Sequence, residues 1–160
     1  MDNQRYQFRD ALKENAGLSV YNAGYEQCES NHSWGPALRD HYLIHFVVSG
    51  SGTLRCNQQE YRLSAGELFI TFPAQVSSYQ ADSDDPWQYN WVGFNGTDAR
   101  RLVKMTGLSR QQPVLRSNDP ELTGRLLRRI ADAGDNTAAA DAEMAGSDCR
   151  ECAPHLEALQ

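Results

Sequence analysis

Short runs of β-branched and aromatic residues, separated by turn-forming residues, divide the chain between residues 18 and 94. The runs cover residues 18–25, 42–48, 53–56, 60–63, 67–72, 76–80 and 88–94. Glycine, asparagine, serine or proline stands in each of the turns at 49–52, 57–59, 64–66 and 73–74. Short strands at this spacing are typical of an antiparallel sandwich or barrel, and not of alternating strand–helix units. The sequence therefore predicts a mainly β domain, with residues 27–36 as a loop inside it.

Two helices are predicted after the β region. Thr97 is the expected N-cap of the first, because apolar residues recur at helical spacing directly after it. The second begins at Asp119-Pro120, a cap residue followed by proline at the first helical position. The apolar stripe of this second helix consists of Leu122, Leu126, Leu127 and Ile130.

The charge balance argues against nucleic-acid binding by this chain. Its 160 residues carry a formal net charge of -6, whereas phosphate neutralisation needs clustered lysine and arginine. The one basic cluster, Arg125, Arg128 and Arg129, lies on the second predicted helix and is interpreted as a solvated face. No stretch approaches the roughly 20 apolar residues of a membrane span, and the polar N-terminus does not resemble a signal peptide. We therefore expect a cytoplasmic protein whose four cysteines are thiols.

Metal and enzyme motifs are weak. His41 and His45 share one strand face but lie about 13 Å apart at ~3.3 Å per residue, too far to bind one ion together. Metal-dependent barrels of the cupin type present a His-x-His pair, a glutamate and a later histidine, and that pattern is missing. Cys149-x-x-Cys152 with His155 lacks the further ligands of a zinc site and is interpreted as two thiols near an exposed end. No catalytic triad or phosphate-binding loop stands out, so we expect no metal, no cofactor and no enzyme activity.

The strongest candidate for function is aromatic. Trp87, Tyr89 and Trp91 alternate along one strand and therefore share a face. Walls of tryptophan and tyrosine suit a sugar, whose C–H face packs on rings while its hydroxyls need polar partners. The competing interpretation is that these three residues are ordinary barrel core. Hydrogen bonds to a ligand could come from Arg39, His45 and Arg55.

These residues also carry a family resemblance. It extends over residues 35–45, 48–53, 61–67, 73–79 and 85–94, which include Val48-Ser-Gly-Ser-Gly-Thr53 and Asp85-Pro-Trp-Gln-Tyr-Asn-Trp91. Together they resemble the N-terminal arm-and-barrel domain of AraC-family transcription regulators, in particular those that govern the use of plant sugars or α-galactosides. The resemblance covers roughly residues 1–132 by pattern.

The resemblance implies a cupin-like, double-stranded β-helix (jelly-roll) barrel. We expect an N-terminal arm at 1–17, formed as a short helix or loose segment. The barrel should cover 18–95, helices packed on it 96–133, and a weakly ordered tail 134–160.

The resemblance also implies a set of ligand-binding residues. In members of the arabinose-binding type, an aromatic after the proline-containing turn holds the sugar, together with a His and a Trp on a later strand and an Arg near the first barrel strand. The matching positions here are Tyr79, Tyr89 in place of the His, and Trp91. Gly35 stands opposite the Arg, and Arg39 lies near enough to substitute. These departures argue against arabinose itself and leave a sugar-sized ligand.

The sequence thus predicts an effector-sensing domain for a mono- or oligosaccharide. Family members bind operator DNA through helix-turn-helix motifs that nothing after residue 134 resembles, so we expect DNA binding only through a domain absent here. The tail differs from the family's leucine-rich dimer helix, which leaves a homodimer open. The alternatives are a metal-dependent cupin enzyme, such as a sugar isomerase or dioxygenase, and a barrel that serves only in assembly.

Overall fold

Ten strands and two helices make up the described part of the chain, residues 4–7 (backbone) and 17–133, in a computed structural model. The strands are β1 Gln4–Gln7, β2 Ser19–Gln27, β3 Ser33–Ala37, β4 Tyr42–Ser49, β5 Ser51–Cys56, β6 Gln59–Ser64, β7 Glu67–Thr71, β8 Ser77–Ala81, β9 Gln88–Asn95 and β10 Val114–Arg116. The helices are α1 Ala99–Met105 and α2 Pro120–Asp132.

The strands form two antiparallel sheets. Six of them follow the order β1-β2-β9-β4-β7-β10, and four follow the order β3-β8-β5-β6. The chain crosses between the sheets repeatedly, so that residues far apart in sequence become neighbours. The predicted mainly β fold followed by helices is confirmed.

Strand β4 shows how one sheet supports two cores. Its residues 43–47 are all buried, because the strand is covered on both faces. Leu43 and Val47 point into the core between the sheets, whereas Ile44 and Phe46 pack in the core beneath the helices. Alternation of side chains along a strand separates the two sets, and full burial of such a side chain contributes roughly 1.5–3 kcal/mol.

Helix α2 covers the outer face of the six-stranded sheet. Asp119 caps it by accepting a 3.1 Å hydrogen bond from the amide of Leu122, and Leu126, Leu127 and Ile130 form its buried face. Helix α1 begins two residues later than Thr97, and its N-cap is Asp98, which makes no side-chain capping bond. The prediction that Thr97 caps this helix is therefore wrong. Neither helix has the length and apolar character needed to cross a membrane.

Three strands depart from the sequence prediction. Residues 33–37, expected in a loop, form β3, which pairs with β8 through a register shift. Residues 114–116 extend the large sheet beside β7. Gln4–Gln7, expected in a helix or loose arm, pairs with β2. Each is an edge strand whose backbone pairing, rather than an apolar pattern, fixes its conformation. The rest of the expected arm and the 134–160 tail lie outside the described residues.

Candidate functional site

A cavity of about 320 Å³ opens between the two sheets. Its volume is at the lower end of the roughly 300–1,000 Å³ that small-molecule sites occupy. Five of the residues singled out in the sequence line its wall: Arg39, His45, Tyr79, Tyr89 and Trp91. The wall also includes Asn22, Glu26, His32, Trp34 and Leu43.

Strand register explains why these side chains meet. His45 of β4 lies opposite Trp91 of β9 in the six-stranded sheet. Trp34 of β3 lies opposite Tyr79 of β8 in the four-stranded sheet. Tyr89 is two residues from Trp91 and shares its face. The cavity wall therefore takes side chains from both sheets, facing one another across the barrel.

His45 forms the floor of the cavity and not its mouth. It is 2% exposed and is surrounded by Phe69, Tyr79 and Tyr89, with ring centroids 4.6–4.8 Å away. Burial, with a smaller contribution from the Arg39 charge, holds the pKa of His45 well below its ordinary value. The imidazole is therefore neutral near pH 7, and its buried Nδ1 has no hydrogen-bond partner within the described part of the chain.

The two tyrosines supply neutral hydroxyl groups. Burial raises the pKa of Tyr89 far above its ordinary value, with further contributions from the neighbouring Tyr79 and Cys28. Its hydroxyl forms a hydrogen bond with the Cys28 side chain. The hydroxyl of Tyr79 accepts a 3.4 Å hydrogen bond from the Arg39 guanidinium. The Tyr89 hydroxyl therefore remains hydrogen-bonding and uncharged across the physiological pH range.

Trp34 and Arg39 form an aromatic and cationic lip at the opening. The Trp34 ring stacks on Tyr79 at 5.3 Å with a 21° interplanar angle. The Arg39 guanidinium carbon lies 4.0 Å from the centre of the Trp34 ring, within cation–π range. Both side chains are half-buried, and the neighbouring His32 is exposed, which marks this side as the mouth. The buried Nε of Arg39 has no hydrogen-bond partner among the residues that the structure describes.

Sequence reasoning missed Trp34 and Glu26. Trp34 stands in a polar stretch that was interpreted as a loop, so its side chain had no assigned direction. Asn22 and Glu26 both lie on β2, four residues apart and hence on one strand face. That spacing was the available signal, but an alternating polar face on a first strand is ordinarily solvated.

Three other side chains considered from the sequence for ligand or metal binding do not line the cavity: Trp87, Arg55 and His41. Trp87 is fully buried in the core between the sheets and does not line the cavity. Arg55 forms an exposed 2.9 Å ion pair with Glu60 on the β5–β6 hairpin. The imidazole of His41 lies 2.8 Å from the Asp40 carboxylate, and this hydrogen bond lowers the pKa of Asp40. All three alternating aromatics belong to the buried core between the sheets, and Tyr89 and Trp91 also line the cavity.

Groups able to bind a metal were sought over residues 17–133. Three side chains gather in one place: Glu26, Cys28 and His32. No such group in this part of the chain includes His45. The set expected of a metal-dependent cupin enzyme is therefore not assembled on the barrel floor within the described residues.

The family profile of the AraC-like ligand binding domain matches residues 19–147. The chain belongs to this family. The match includes every strand except β1 and all the cavity residues, so the cavity lies within the family's ligand-binding domain. The resemblance seen in the sequence is confirmed.

Curated relatives of this AraC-like domain are operon regulators. The Msm operon regulatory protein of Streptococcus mutans is 43% identical over 95 residues, 59% of this chain and 34% of that protein. The raffinose operon transcriptional regulatory protein RafR of Pediococcus pentosaceus is 40% identical over 74 residues, 45% of this chain and 27% of that protein. The matched segment of this chain thus spans about a third or less of these relatives.

Solved structures with this fold include YhaK from Escherichia coli, with a TM-score of 0.50 and 16% identity over 62% of this chain and 47% of that protein. A cupin 2 conserved barrel domain protein from Salinispora arenicola has a TM-score of 0.45 and 15% identity over 64% of this chain and 83% of that protein. At these identities the likeness concerns the fold alone. The mainly β architecture with two antiparallel sheets agrees with the likeness to YhaK.

Proposed function

We propose that this AraC-like domain senses a mono- or oligosaccharide effector for a bacterial transcription regulator. One observation carries the proposal: the wall of the cavity between the sheets combines aromatic rings with tyrosine hydroxyls, an imidazole and a guanidinium. Small-molecule sites are lined in this way, by apolar and aromatic side chains with a few placed polar groups. A polyhydroxylated ligand matches both kinds of surface.

The chemistry of the wall favours an uncharged polyol. The faces of Trp34 and Trp91 provide stacking surfaces for the C–H face of a sugar ring. Tyr79, Tyr89 and neutral His45 donate and accept hydrogen bonds without charge. The operon names of the relatives, which include raffinose and lactose, support the same ligand class.

The five proposed ligand-binding residues have distinct roles. Trp91 stacks on the sugar, Tyr79 and Tyr89 bind hydroxyl groups along the wall, and His45 binds one at the floor. Arg39 closes the mouth and fixes the orientation of the ligand. Specificity resides in the hydroxyl contacts, because a site built around them rejects ligands that leave its polar groups unpaired.

The regulator is preferred to the cupin enzyme. A metal-dependent enzyme of this fold needs ligands gathered around the reacting centre, whereas the barrel floor offers His45 in an aromatic setting. In the proposed regulator, operator DNA is bound through another domain, and the protein acts in the cytoplasm, where the DNA is. A homodimer is the assembly we expect for such a regulator.

A saccharide screen tests this function. Melting temperature is measured with raffinose, lactose and their component monosaccharides, and calorimetry follows for the ligand that raises it. A ligand at 100 times its dissociation constant adds about 2.7 kcal/mol of stability. Trp91→Ala is expected to lose about 1–3 kcal/mol of binding free energy, as truncation of a central aromatic anchor does.

The control is Tyr61→Ala, which removes a half-buried aromatic of β6 away from the cavity. It should bind as the unmodified protein does. Unchanged affinity in a folded Trp91→Ala protein would refute the site. Absence of stabilisation by every saccharide, together with a bound metabolite of another class recovered from the protein, would refute the ligand class.

A further inference from the structure

Three side chains of different chemistry meet where β2 leaves its sheet. Glu26 stands near the end of β2, Cys28 follows two residues later on the same side, and His32 precedes β3. A carboxylate oxygen, the thiol sulfur and an imidazole nitrogen lie within 4.8 Å of one another. Cys28 is buried, Glu26 is half-buried and His32 is exposed, so the group is open to solvent on one side.

The turn that returns His32 to this point is fixed by its backbone. The amide of His32 donates a 3.0 Å hydrogen bond to the carbonyl of Glu29, and its own carbonyl accepts a 2.8 Å bond from Ala81. Asn31 takes a left-handed conformation, with φ of 60°. The amide of Cys28 donates to the carbonyl of Trp87 at 3.1 Å. The backbone thus holds Cys28 and His32 together, and the donor set does not rest on a loose loop.

This set of donors matches a borderline divalent cation. Thiolate, imidazole and carboxylate are the three protein ligand types of Zn²⁺, which binds them at about 2.0–2.3 Å in tetrahedral geometry. Ligand atoms around such an ion lie about 3.3–3.8 Å apart, so a modest rotation of the exposed His32 and the half-buried Glu26 completes the site. The Tyr89 hydroxyl, hydrogen-bonded to Cys28, supplies the outer partner that metal ligands usually have.

We propose that Glu26, Cys28 and His32 form a zinc site at the edge of the cavity, with a fourth position left for water. Glu26 and His32 both line the cavity, so a bound ion lies at its margin and not at the barrel centre. Sequence reasoning did not find the site, because it looked for paired histidines and interpreted residues 27–36 as a loop, in which Cys28 and His32 had no assigned direction. The inference is independent of the saccharide function.

Cobalt substitution tests the site directly. The full chain is used with Cys149 and Cys152 changed to serine, because these residues could also bind a metal. One equivalent of Co²⁺ is expected to bind, with the near-ultraviolet sulfur-to-cobalt charge-transfer band that reports a thiolate ligand, and one equivalent of Zn²⁺ should displace it. Zn²⁺ alone should also raise the melting temperature.

Two variants and two matched controls assign the ligands. Cys28→Ser should abolish the charge-transfer band, and His32→Gln should weaken binding at least tenfold. Because His32 is exposed, its variant remains informative even if Cys28→Ser fails to fold. Cys56→Ser, which alters the other described buried thiol, and His41→Gln should bind within twofold of the parent. A missing band in the parent, or a band and affinity that survive His32→Gln unchanged, would overturn the site. Neither result would bear on saccharide binding.

Discussion

At the scale of single residues, burial decides the protonation state of the titratable groups that line the cavity. His45 is enclosed by rings on both sides of its imidazole, and the positive Arg39 lies near it. A protonated imidazole there would lie buried among aromatic rings and near the positive charge of Arg39. The floor of the cavity is therefore built for a neutral hydrogen-bonding group, and folding opposes its protonation.

This burial predicts a pH dependence of stability. The pKa of His45 is lowered in the folded state from an ordinary value near 6.5, so below that value the unfolded chain binds the proton more readily. Stability is complete above about pH 6.5 and falls as the pH drops through it, by at most about 1.4 kcal/mol per pH unit. Urea unfolding from pH 7.5 to about pH 5 should show this slope, reduced in His45→Gln.

The exposed His32→Gln provides the comparison and should keep the slope of the unmodified protein. Asp40 acts in a lower window, since its lowered pKa gives stability that is lost only as the pH falls below its ordinary value of 3.8. Equal slopes for His45→Gln and the unmodified protein would show that the imidazole is not held neutral by burial.

At Gly52, close packing leaves no room for a larger side chain. The six-membered ring of the Trp87 indole lies directly against it, and a Cβ at this position would overlap that ring. Trp87 is fully enclosed and has little room to move. Gly52→Ala is therefore expected to cost about 1–3 kcal/mol, as overpacking of a core does.

The matched change is Gly17→Ala, where a Cβ meets the movable carboxylate end of Asp98. It should alter the free energy of unfolding by much less. Chemical denaturation of both variants measures the difference. If the two variants are equally stable, Trp87 is not confined as described.

At the scale of elements, the helix ends differ in how they are capped. Asp119 accepts the amide of Leu122 at the start of α2, whereas Asp98 at the start of α1 makes no side-chain capping bond. Asp119→Ala should lower the free energy of unfolding by about 1 kcal/mol. Asp98→Ala is the control and should cost clearly less, since only an exposed 3.9 Å pair with Arg101 is lost. Equal losses in the two variants would contradict the assigned cap.

Elements with a strong local signal could be predicted from sequence. The Asn118-Asp119-Pro120 start and the predicted apolar stripe located α2 correctly, because caps and helical periodicity are local properties. Of that stripe, Leu126, Leu127 and Ile130 are buried, whereas Leu122 is half-buried. Strands β4 and β9 were recognised from their apolar and aromatic composition. The edge strand β3 was missed, because its Gly35 and Pro36 carry turn chemistry and only pairing with β8 makes it extended.

Residues of the candidate site could be predicted from sequence only where they lie on strands that were themselves predicted. Tyr89 and Trp91 follow from alternation, and Tyr79 from the family pattern, whereas Trp34 required the missing β3. The grouping of Glu26 with His32 depends on a turn fixed by long-range backbone bonds. Such contacts leave no periodic mark in the sequence.

At the scale of the whole molecule, net charge decides how strongly the chain binds DNA. The net charge of -6 repels phosphate. The 160-residue chain is therefore expected to bind operator duplex no more tightly than an acidic protein of similar size at physiological salt. An electrophoretic mobility assay with a sugar-operon promoter fragment measures this, with a scrambled duplex as control. Sequence-specific retardation at low protein concentration would contradict the expectation.

The position of the cavity between two sheets has a mechanical consequence. Trp34 and Tyr79 belong to one sheet, and His45, Tyr89 and Trp91 to the other, so any occupant touches both. A bound ligand therefore links the two sheets and resists their separation. The edge strand β3, which has one neighbour and ends close to Arg39, gains most from it. When a ligand fills the cavity, amide hydrogen exchange should slow first in β3. Ligand binding then makes β3 more rigid than it is in the empty protein.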